Sequence, residues 1–454
     1  MNNKEKHRSS FSGGIGFVLA AAGSAVGLGN LWRFPYLVAQ YGGGIFILVY
    51  IIAALTFGFA IMSTETAIGR KTQKSPSMAY QAIHPKFKFL GVLASLVPII
   101  ILPYYCVIGG WVVKYMTIFI TGEGGAAAAD GYFGSFIGAS AQPLVFFAVF
   151  LVVTCVIILM GVAKGIEKMS KFMMPILLVI SVIICIYICT LPGSGAGIRY
   201  YLVPDFSKFS FMTICAAVGQ IFFSMSLAMG IMVTYGSYTR RETNLTKSVN
   251  QIEIFDTVVA MLAGFIVVPA VFMFSGEAGT RTSGPGLLFI ALPKIFDQMA
   301  AGKIIGILFF VLVFFAALTS SISIMEAVVS SFVDKFKMTR KKAVLITVVI
   351  AIVLGVPSSL GNGVWANIQI LGMDFLSFFD FFSNNIIMPI VALCTCLLIG
   401  WVVGPKVVTD EITRNGEKMR RKGLYWVMIK FVAPILLVMI LISSILQQLG
   451  IISI

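Results

Sequence analysis

The sequence predicts an all-α polytopic membrane protein, and three observations carry that prediction. Of 454 residues, 59% are hydrophobic and 11% charged, whereas soluble domains carry about 25% charged residues. The mean hydropathy is +0.98. Apolar runs near the ~20 residues needed to cross a bilayer recur along the chain, among them Pro143 to Ala163, Gly306 to Met325 and Tyr425 to Leu446. A β-barrel would need shorter segments of alternating hydropathy, and these are absent.

Eleven spans follow, near residues 14–38, 45–68, 90–120, 143–163, 172–191, 212–238, 251–276, 304–332, 343–360, 375–403 and 425–447. The first begins after 13 short, basic residues and has no small-residue cleavage site, so it reads as an uncleaved span and not a signal peptide. It contains "AAGSAVGLGNLWRFP", with Gly23, Gly27 and Gly29 around Ser24 and Asn30. The second ends near Glu65, and the third carries "YYCVIGGW" with Tyr105. The fourth and fifth flank a short basic segment with Gly165, and Pro175 lies near the start of the fifth. The sixth contains "GQIFFSMSLAMG", Gly219 to Gly230, with two serines and two glycines. Asp256 lies in the seventh, "LTSS" and Glu326 in the eighth, and Asp380 in the tenth.

The net charge of +15 is an orientation signal rather than a nucleic-acid footprint. With the N-terminus inside, the inner segments hold 25 Lys and Arg, against five in the outer loops: Arg199, Lys208, Arg281, Lys294 and Lys303. That bias follows the positive-inside rule. It predicts an inner (plasma) membrane protein with a cytoplasmic N-terminus and a C-terminus outside. All seven cysteines fall within or beside spans, which predicts no disulfide framework. His7 and His84 are the only histidines, which argues against a histidine metal site. No spaced catalytic cluster stands in the loops, so no enzymatic activity is expected.

Ionisable residues inside spans are functional candidates, because burying them costs several kcal/mol. Arg33, Glu65, Asp256, Glu326 and Asp380 qualify. The alternative for each is a helix-end residue reaching the headgroups, or a buried pair holding helices together. Two stretches look built to unwind, the opening motif and Gly219 to Gly230. Small residues for close helix packing are the alternative, but unwound backbone survives in a bilayer only where it lines a cavity or binds something. One break opens each half of a ten-span unit, which points to a transporter of inverted repeats. The division is then 1–13 cytoplasmic segment, 14–191 first five-helix repeat, 212–403 second repeat, 404–424 cytoplasmic loop and 425–454 eleventh helix. No residue-level repeat joins the halves.

"GLGNLWRFPY" followed by "GGG", then "GQIFFSMSLAMG…TYGSY" and "FFAALTSSISIM", closely resemble the neurotransmitter:sodium symporter family. The resemblance runs from Arg8 to the tenth span, and eleven spans without a twelfth resemble its short bacterial members. It implies a LeuT-type 5+5 inverted repeat with discontinuous first and sixth helices plus one additional helix. The implied function is secondary active, sodium-coupled import of an L-amino acid by alternating access.

The resemblance also implies site residues. One sodium ion should be held by the Ala25 carbonyl, the Asn30 amide oxygen, Ser224, Asp256 and the substrate carboxylate. A second should use the carbonyls of Gly23, Val26 and Ala316 with the hydroxyls of Thr319 and Ser320. Sodium is a hard cation that wants several oxygens, although "LTSS" alone also fits back-bonding to helix carbonyls. The substrate carboxylate should meet the exposed N–H groups of the broken first span, at Leu28 and Gly29, and the Tyr105 hydroxyl. Ser24, Ile101, Phe223, Ser226, Met229 and Ile324 should line the side-chain pocket.

Gly27 stands where the monoamine branch of the family has an aspartate, so the substrate should bring its own carboxylate. Met229 replaces a larger ring found in leucine-selective relatives, which favours large hydrophobic or aromatic amino acids. Asp256 stands where asparagine is commoner, and Ala260 lies one turn later; a fixed carboxylate there predicts chloride independence. It also permits proton antiport, by protonation once the ion leaves.

For the gates, Arg33 should pair with Asp380, with Asp374 as the competing acid, under a lid of Tyr105 and Phe223. Arg8 should pair with Asp334 near Ser237 and Tyr238. Phe11 stands where the family usually has tryptophan, which predicts a weaker inner latch. Gly165 and Pro175 resemble a bacterial motif that lets the fifth span unwind inward; a loop glycine and a first-turn proline are the alternative. Glu65 should accept bonds from the broken sixth span. No obligatory protein partner is implied. The alternatives within reach are a small aliphatic substrate such as alanine or leucine, a non-transporting amino-acid sensor, or a channel on the same scaffold. A channel would need charge rings or filter carbonyls from several subunits, and a sensor usually carries an added soluble domain.

Overall fold

The computed structural model describes residues 10–279 and 284–451. Its spanning elements are α1 (Gly14–Ala25 and Gly29–Gln40), α2 (Gly44–Thr72), α3 (Pro85–Thr121), α4 (Ala141–Leu159), α5 (Val162–Thr190) and α6 (Phe211–Ser224 and Ile231–Ser237). They continue with α7 (Leu245–Phe274), α8 (Gly302–Phe336), α9 (Arg340–Leu360), α10 (Phe375–Val402) and α11 (Lys422–Gln448). Each of the eleven expected spans has its counterpart. Among the described residues nine helices are long and apolar enough to cross a bilayer, and the halves of α1 make a tenth as a pair bent by 52°. The halves of α6 fall short of a span because the six residues between them are not helical.

The two breaks arise differently. In α1 the helix ends where Val26 turns to an extended conformation (ψ 98°), and glycines at 27 and 29 offer little resistance to leaving the helix. In α6 the chain passes through the left-handed region three times, at Ser226 (φ 52°), Ala228 (φ 59°) and Gly230 (φ 70°). Two of these residues carry a side chain, and such positions cost about 1–3 kcal/mol each and cluster at functional sites.

Both broken helices lie at the centre of the bundle. From Ala20 to Leu31 every residue is buried. On the outside, α4, α5, α9 and α11 present Val152, Val179, Val353 and Ile435, each more than half exposed, as a lipid-facing surface requires. Close contacts between helices use glycine: a Cβ on Gly110 of α3 would meet the Phe147 backbone of α4 at 2.6 Å, a packing mode common in membranes.

One expectation needs correction here. Gly165 is not a loop glycine; it lies in a π-helical turn, Val162–Glu167, that opens α5. Pro175 lies inside the following helix, Lys168–Thr190. In this conformation the fifth span is wound throughout, entered through that π turn.

Candidate functional site

The α1 and α6 breaks, α3 and α8 surround a small cavity of about 20 Å³, well below the roughly 300–1,000 Å³ of open ligand pockets, so in this conformation the site is closed down. It is lined by Ser24, Ala25, Gly27, Leu28, Gly29, Ile101, Tyr105, Phe223, Ser226, Met229, Ser320 and Ile324. These are the residues expected around the substrate, except Ser224, which sits behind the wall. The freed carbonyl of Ser24 accepts hydrogen bonds from the hydroxyls of Ser226 (2.9 Å) and Ser320 (3.1 Å). Ser24 in turn donates to the Ser226 hydroxyl at 3.0 Å. Serines from α6 and α8 thus satisfy backbone that α1 gives up by unwinding.

One polar atom in the wall is left over. The Tyr105 hydroxyl is buried and makes no hydrogen bond. A buried, unpaired donor is costly, and its position beside Ser320 and the Leu28 backbone suits an anionic ligand group. Gly27 has a second reason to be glycine: a Cβ would lie 2.6 Å from Ser320 Oγ and 3.3 Å from Tyr105 Oη. A side chain there would have to push the Ser320 hydroxyl aside. Gly29 is equally constrained, since its Cβ would lie 2.4 Å from the Phe223 ring.

Behind the cavity stands a buried polar cluster of Asn30, Ser224 and Asp256, at most 1% exposed. Ser224 Oγ donates to Asp256 Oδ2 at 2.6 Å, and Asn30 Nδ2 donates to Oδ1 at 2.8 Å. The structure differs from the expected ligand set in the Asn30 amide. Its oxygen accepts from the Gly27 N–H at 3.1 Å, so the NH₂, not the oxygen, faces the carboxylate. The reason is electrostatic: a donor suits a bare carboxylate, and half a turn of the amide exchanges the two atoms.

Two residues of this neighbourhood escaped the sequence reading. Tyr50 of α2 donates to Asp256 Oδ2 at 3.2 Å and lies 3.3 Å from Ser224 Oγ. Gln220 donates to the Gly29 carbonyl at 2.9 Å. Gln220 lies inside the quoted run "GQIFF", where a polar amide in a span was itself a signal. Nothing local distinguished Tyr50.

The second expected ion site also comes together. The Ser320 hydroxyl reaches the Val26 carbonyl at 3.4 Å, and Gly23 packs on Thr319, its Cβ position 3.3 Å from Thr319 Cβ. The Thr319 hydroxyl donates back to the carbonyls of Phe315 (3.0 Å) and Ala316 (3.1 Å). Neutral carbonyl and hydroxyl oxygens on two helices suit a monovalent hard cation.

The gates are arranged only partly as expected. A vestibule of about 230 Å³, lined in part by Arg33, Tyr36, Phe223, Asn384 and Gln447, meets the cavity at Phe223. The Arg33 guanidinium lies over the Phe223 ring, 5.5 Å from its centroid. Arg33 and Asp380 act on one another electrostatically, but they make no direct ion pair. Asp380 accepts instead from Asn384 Nδ2 at 2.7 Å. Asp374, the competing acid, caps α10 by accepting from Ser377 N at 3.0 Å. Of the two lid residues, Phe223 lines both spaces and Tyr105 the cavity alone.

On the opposite face, Arg8 lies outside the described residues. Asp334 accepts from Ser75 N at 2.6 Å, and the Ser237 hydroxyl donates to the Thr234 carbonyl at 2.6 Å. Tyr238 donates to Glu326 at 2.7 Å, and its carbonyl accepts from Phe11 N at 3.0 Å. Phe11 is 1% exposed and packs edge-on against Tyr235 at 5.6 Å, so phenylalanine fills this face. Glu326 is a buried pair, bound by both ends of the Arg340 guanidinium at 3.0 and 2.5 Å. Glu65 accepts from the Ala228 N–H at 2.9 Å; its other oxygen has no partner.

Fold and site together define a membrane transporter with a central site between two broken helices. The chain belongs to the sodium:neurotransmitter symporter family, whose model matches residues 8–125 and 135–451. It is a sodium-dependent, multi-pass membrane symporter. It is 33% identical, over 98% of its length and all of the relative's, to an uncharacterized sodium-dependent transporter of Haemophilus influenzae. It is 32% identical to the sodium-dependent transporter YhdH of Bacillus subtilis, over 95% of this chain and 96% of that one. Among solved structures it is similar to MhsT in complex with L-phenylalanine, with a TM-score of 0.88 and 35% identity over 96% of this chain and all of that one.

Proposed function

We propose that the protein imports a large hydrophobic or aromatic L-amino acid, coupled to two sodium ions and independent of chloride. It sits in the inner membrane with its N-terminus in the cytoplasm and its C-terminus outside, needs no protein partner and catalyses no reaction. The observation that carries this reading is the cavity at the two breaks, with the unpartnered Tyr105 hydroxyl in its wall. A substrate carboxylate there accepts from Tyr105 and meets the N-terminal end of Gly29–Gln40, where the helix dipole favours an anion. Gly27 supplies no carboxylate, so the negative charge comes with the substrate. The substrate carboxylate and Asp256 then lie on either side of Asn30, and sodium between them is ligated as the Asn30 amide turns its oxygen toward the ion.

Met229, unbranched and adaptable, and Ile101 and Ile324 make the side-chain end of the cavity apolar. The phenylalanine held by MhsT, a protein of the same fold and similar sequence, supports an aromatic substrate. Asp256 supplies a fixed negative charge beside the ion, which supports independence of chloride. Alternating access follows from the two faces: Phe223 separates cavity from vestibule, while Phe11 and Tyr238 close the other side.

The test is uptake of a labelled amino-acid panel into proteoliposomes under an inward sodium gradient, against potassium or choline, with and without chloride. The expected outcome is sodium-driven accumulation of Trp, Phe, Tyr or Leu that survives removal of chloride. Preference for alanine would move the substrate to small aliphatic amino acids. Sodium-dependent binding without accumulation would make the protein a sensor.

A further inference from the structure

The second span contains a π-helical turn, Ala54–Gly58, none of whose residues lines the cavity. In an α-helix the Phe59 N–H bonds the carbonyl four residues back, that of Leu55; here it goes to Ala54 instead. Leu55 lies on the exposed, lipid-facing side, where a carbonyl without a donor is costly. Arg421, at the lead-in to α11, supplies the donor: its Nη1 reaches the Leu55 carbonyl at 2.8 Å. The two terminal nitrogens of the guanidinium make further bonds. It holds both oxygens of Glu253 on α7 at 3.0 and 2.7 Å and Asn250 Oδ1 at 2.6 Å, and its plane lies 3.7 Å from the Phe59 ring centroid.

The π turn sets which face of α2 meets the α6 break. A π turn takes up one extra residue, so its conversion to α-helix would rotate everything beyond it by about 100°. Within the turn, Phe57 packs on Phe222 at 5.1 Å. Gly58 approaches so closely that a Cβ would lie 2.7 Å from Met225 Sδ and 3.1 Å from Ile221. Two turns further, on the same face, Glu65 accepts from Ala228.

We infer that Arg421 is a positioning residue for the substrate site: by satisfying the Leu55 carbonyl it fixes the π turn of α2, and so the face that seats Met225–Gly230 of the α6 break. It touches neither ion nor substrate. The inference rests on the reading of that break as the wall of the amino-acid site. Glu253 orients Arg421, but the contact that acts on α2 is the one to Leu55.

The test compares purified full-length wild type with Arg421→Ala, Arg421→Lys and Glu253→Gln. It reads hydrogen exchange of the Met225–Gly230 amides and sodium-dependent binding of labelled L-phenylalanine, on samples that stay monodisperse. Arg421→Ala should speed exchange across 225–230 and weaken phenylalanine binding about tenfold, the scale of one lost charge-assisted hydrogen bond. Lysine lacks the planar fork, so Arg421→Lys should not restore either. Glu253→Gln keeps Arg421 over Phe59 and should stay within about threefold of wild type, though less heat-stable. Normal exchange at 225–230 in Arg421→Ala, or full rescue by lysine, would overturn the inference. If wild type binds no phenylalanine, the reading of the substrate fails, and the exchange measurement still decides the role of Arg421.

Discussion

Asp256 is bonded by Ser224, Asn30 and Tyr50 and makes no ion pair with any described Lys or Arg. Its charge is therefore available to a cation that enters beside it, and in a low-dielectric interior such a pairing is strong. Asp256→Asn preserves shape but removes the charge and turns one of the two acceptor oxygens into a donor. Chloride-free, sodium-driven uptake should fall at least about tenfold, and added chloride should recover part of it. Uptake by the variant that is unchanged without chloride would place the balancing charge elsewhere. Gly27 shows how far residue-level reading goes. Its identity told which charge the protein lacks, while the contact with Ser320 showed which group a side chain there would have to displace.

The α6 break is held by its neighbours rather than by its own sequence. Ser226 and Ala228 stand in left-handed conformations that side chains disfavour, and bonds from outside offset the cost. Ser226 is tied to Ser24, and Ala228 to Glu65 of α2. Only one Glu65 oxygen is used, so the geometry asks for an acceptor and not for a charge. Glu65→Gln should bind substrate within about threefold of wild type, whereas Glu65→Ala, which strands the Ala228 N–H, should lose about tenfold or more. Equal loss in both variants, measured by equilibrium binding, would show that the charge itself is needed.

Across the whole molecule, the segment between α10 and α11 is fixed to the bundle by a buried arginine. Arg70, at the end of α2, is 0% exposed; it donates to Glu411 at 2.7 Å and to the Thr243 carbonyl at 2.6 Å. The helix Lys406–Ile412 and the loop after α6 thus close over the end of α2. Removing one partner of such a pair leaves a buried charge unmatched. Glu411→Ala should cost about 3–5 kcal/mol of stability. The double replacement Arg70→Met with Glu411→Leu should recover most of it, read as resistance to thermal inactivation in detergent. A double variant no better than the single one would mean that the Thr243 contact, not the ion pair, carries the stability.

The sequence by itself determined the class of protein, the number of spans and the place of both breaks. Each is written locally, in runs of apolar residues and in glycines and serines where lipid favours leucine. The residues around the cavity were legible too, because Ser24, Tyr105, Phe223, Met229 and Ile324 fall in motifs that a family resemblance reads in order. Only the tertiary structure decided which groups meet. Tyr50 joins Asp256 from another helix, Arg33 lies over Phe223 instead of touching Asp380, and Arg421 reaches a carbonyl some 366 residues earlier in the chain. No local pattern encodes such contacts, since hydrogen bonds and ring contacts between spans depend on how helices pack and not on the hydropathy that places them in the membrane.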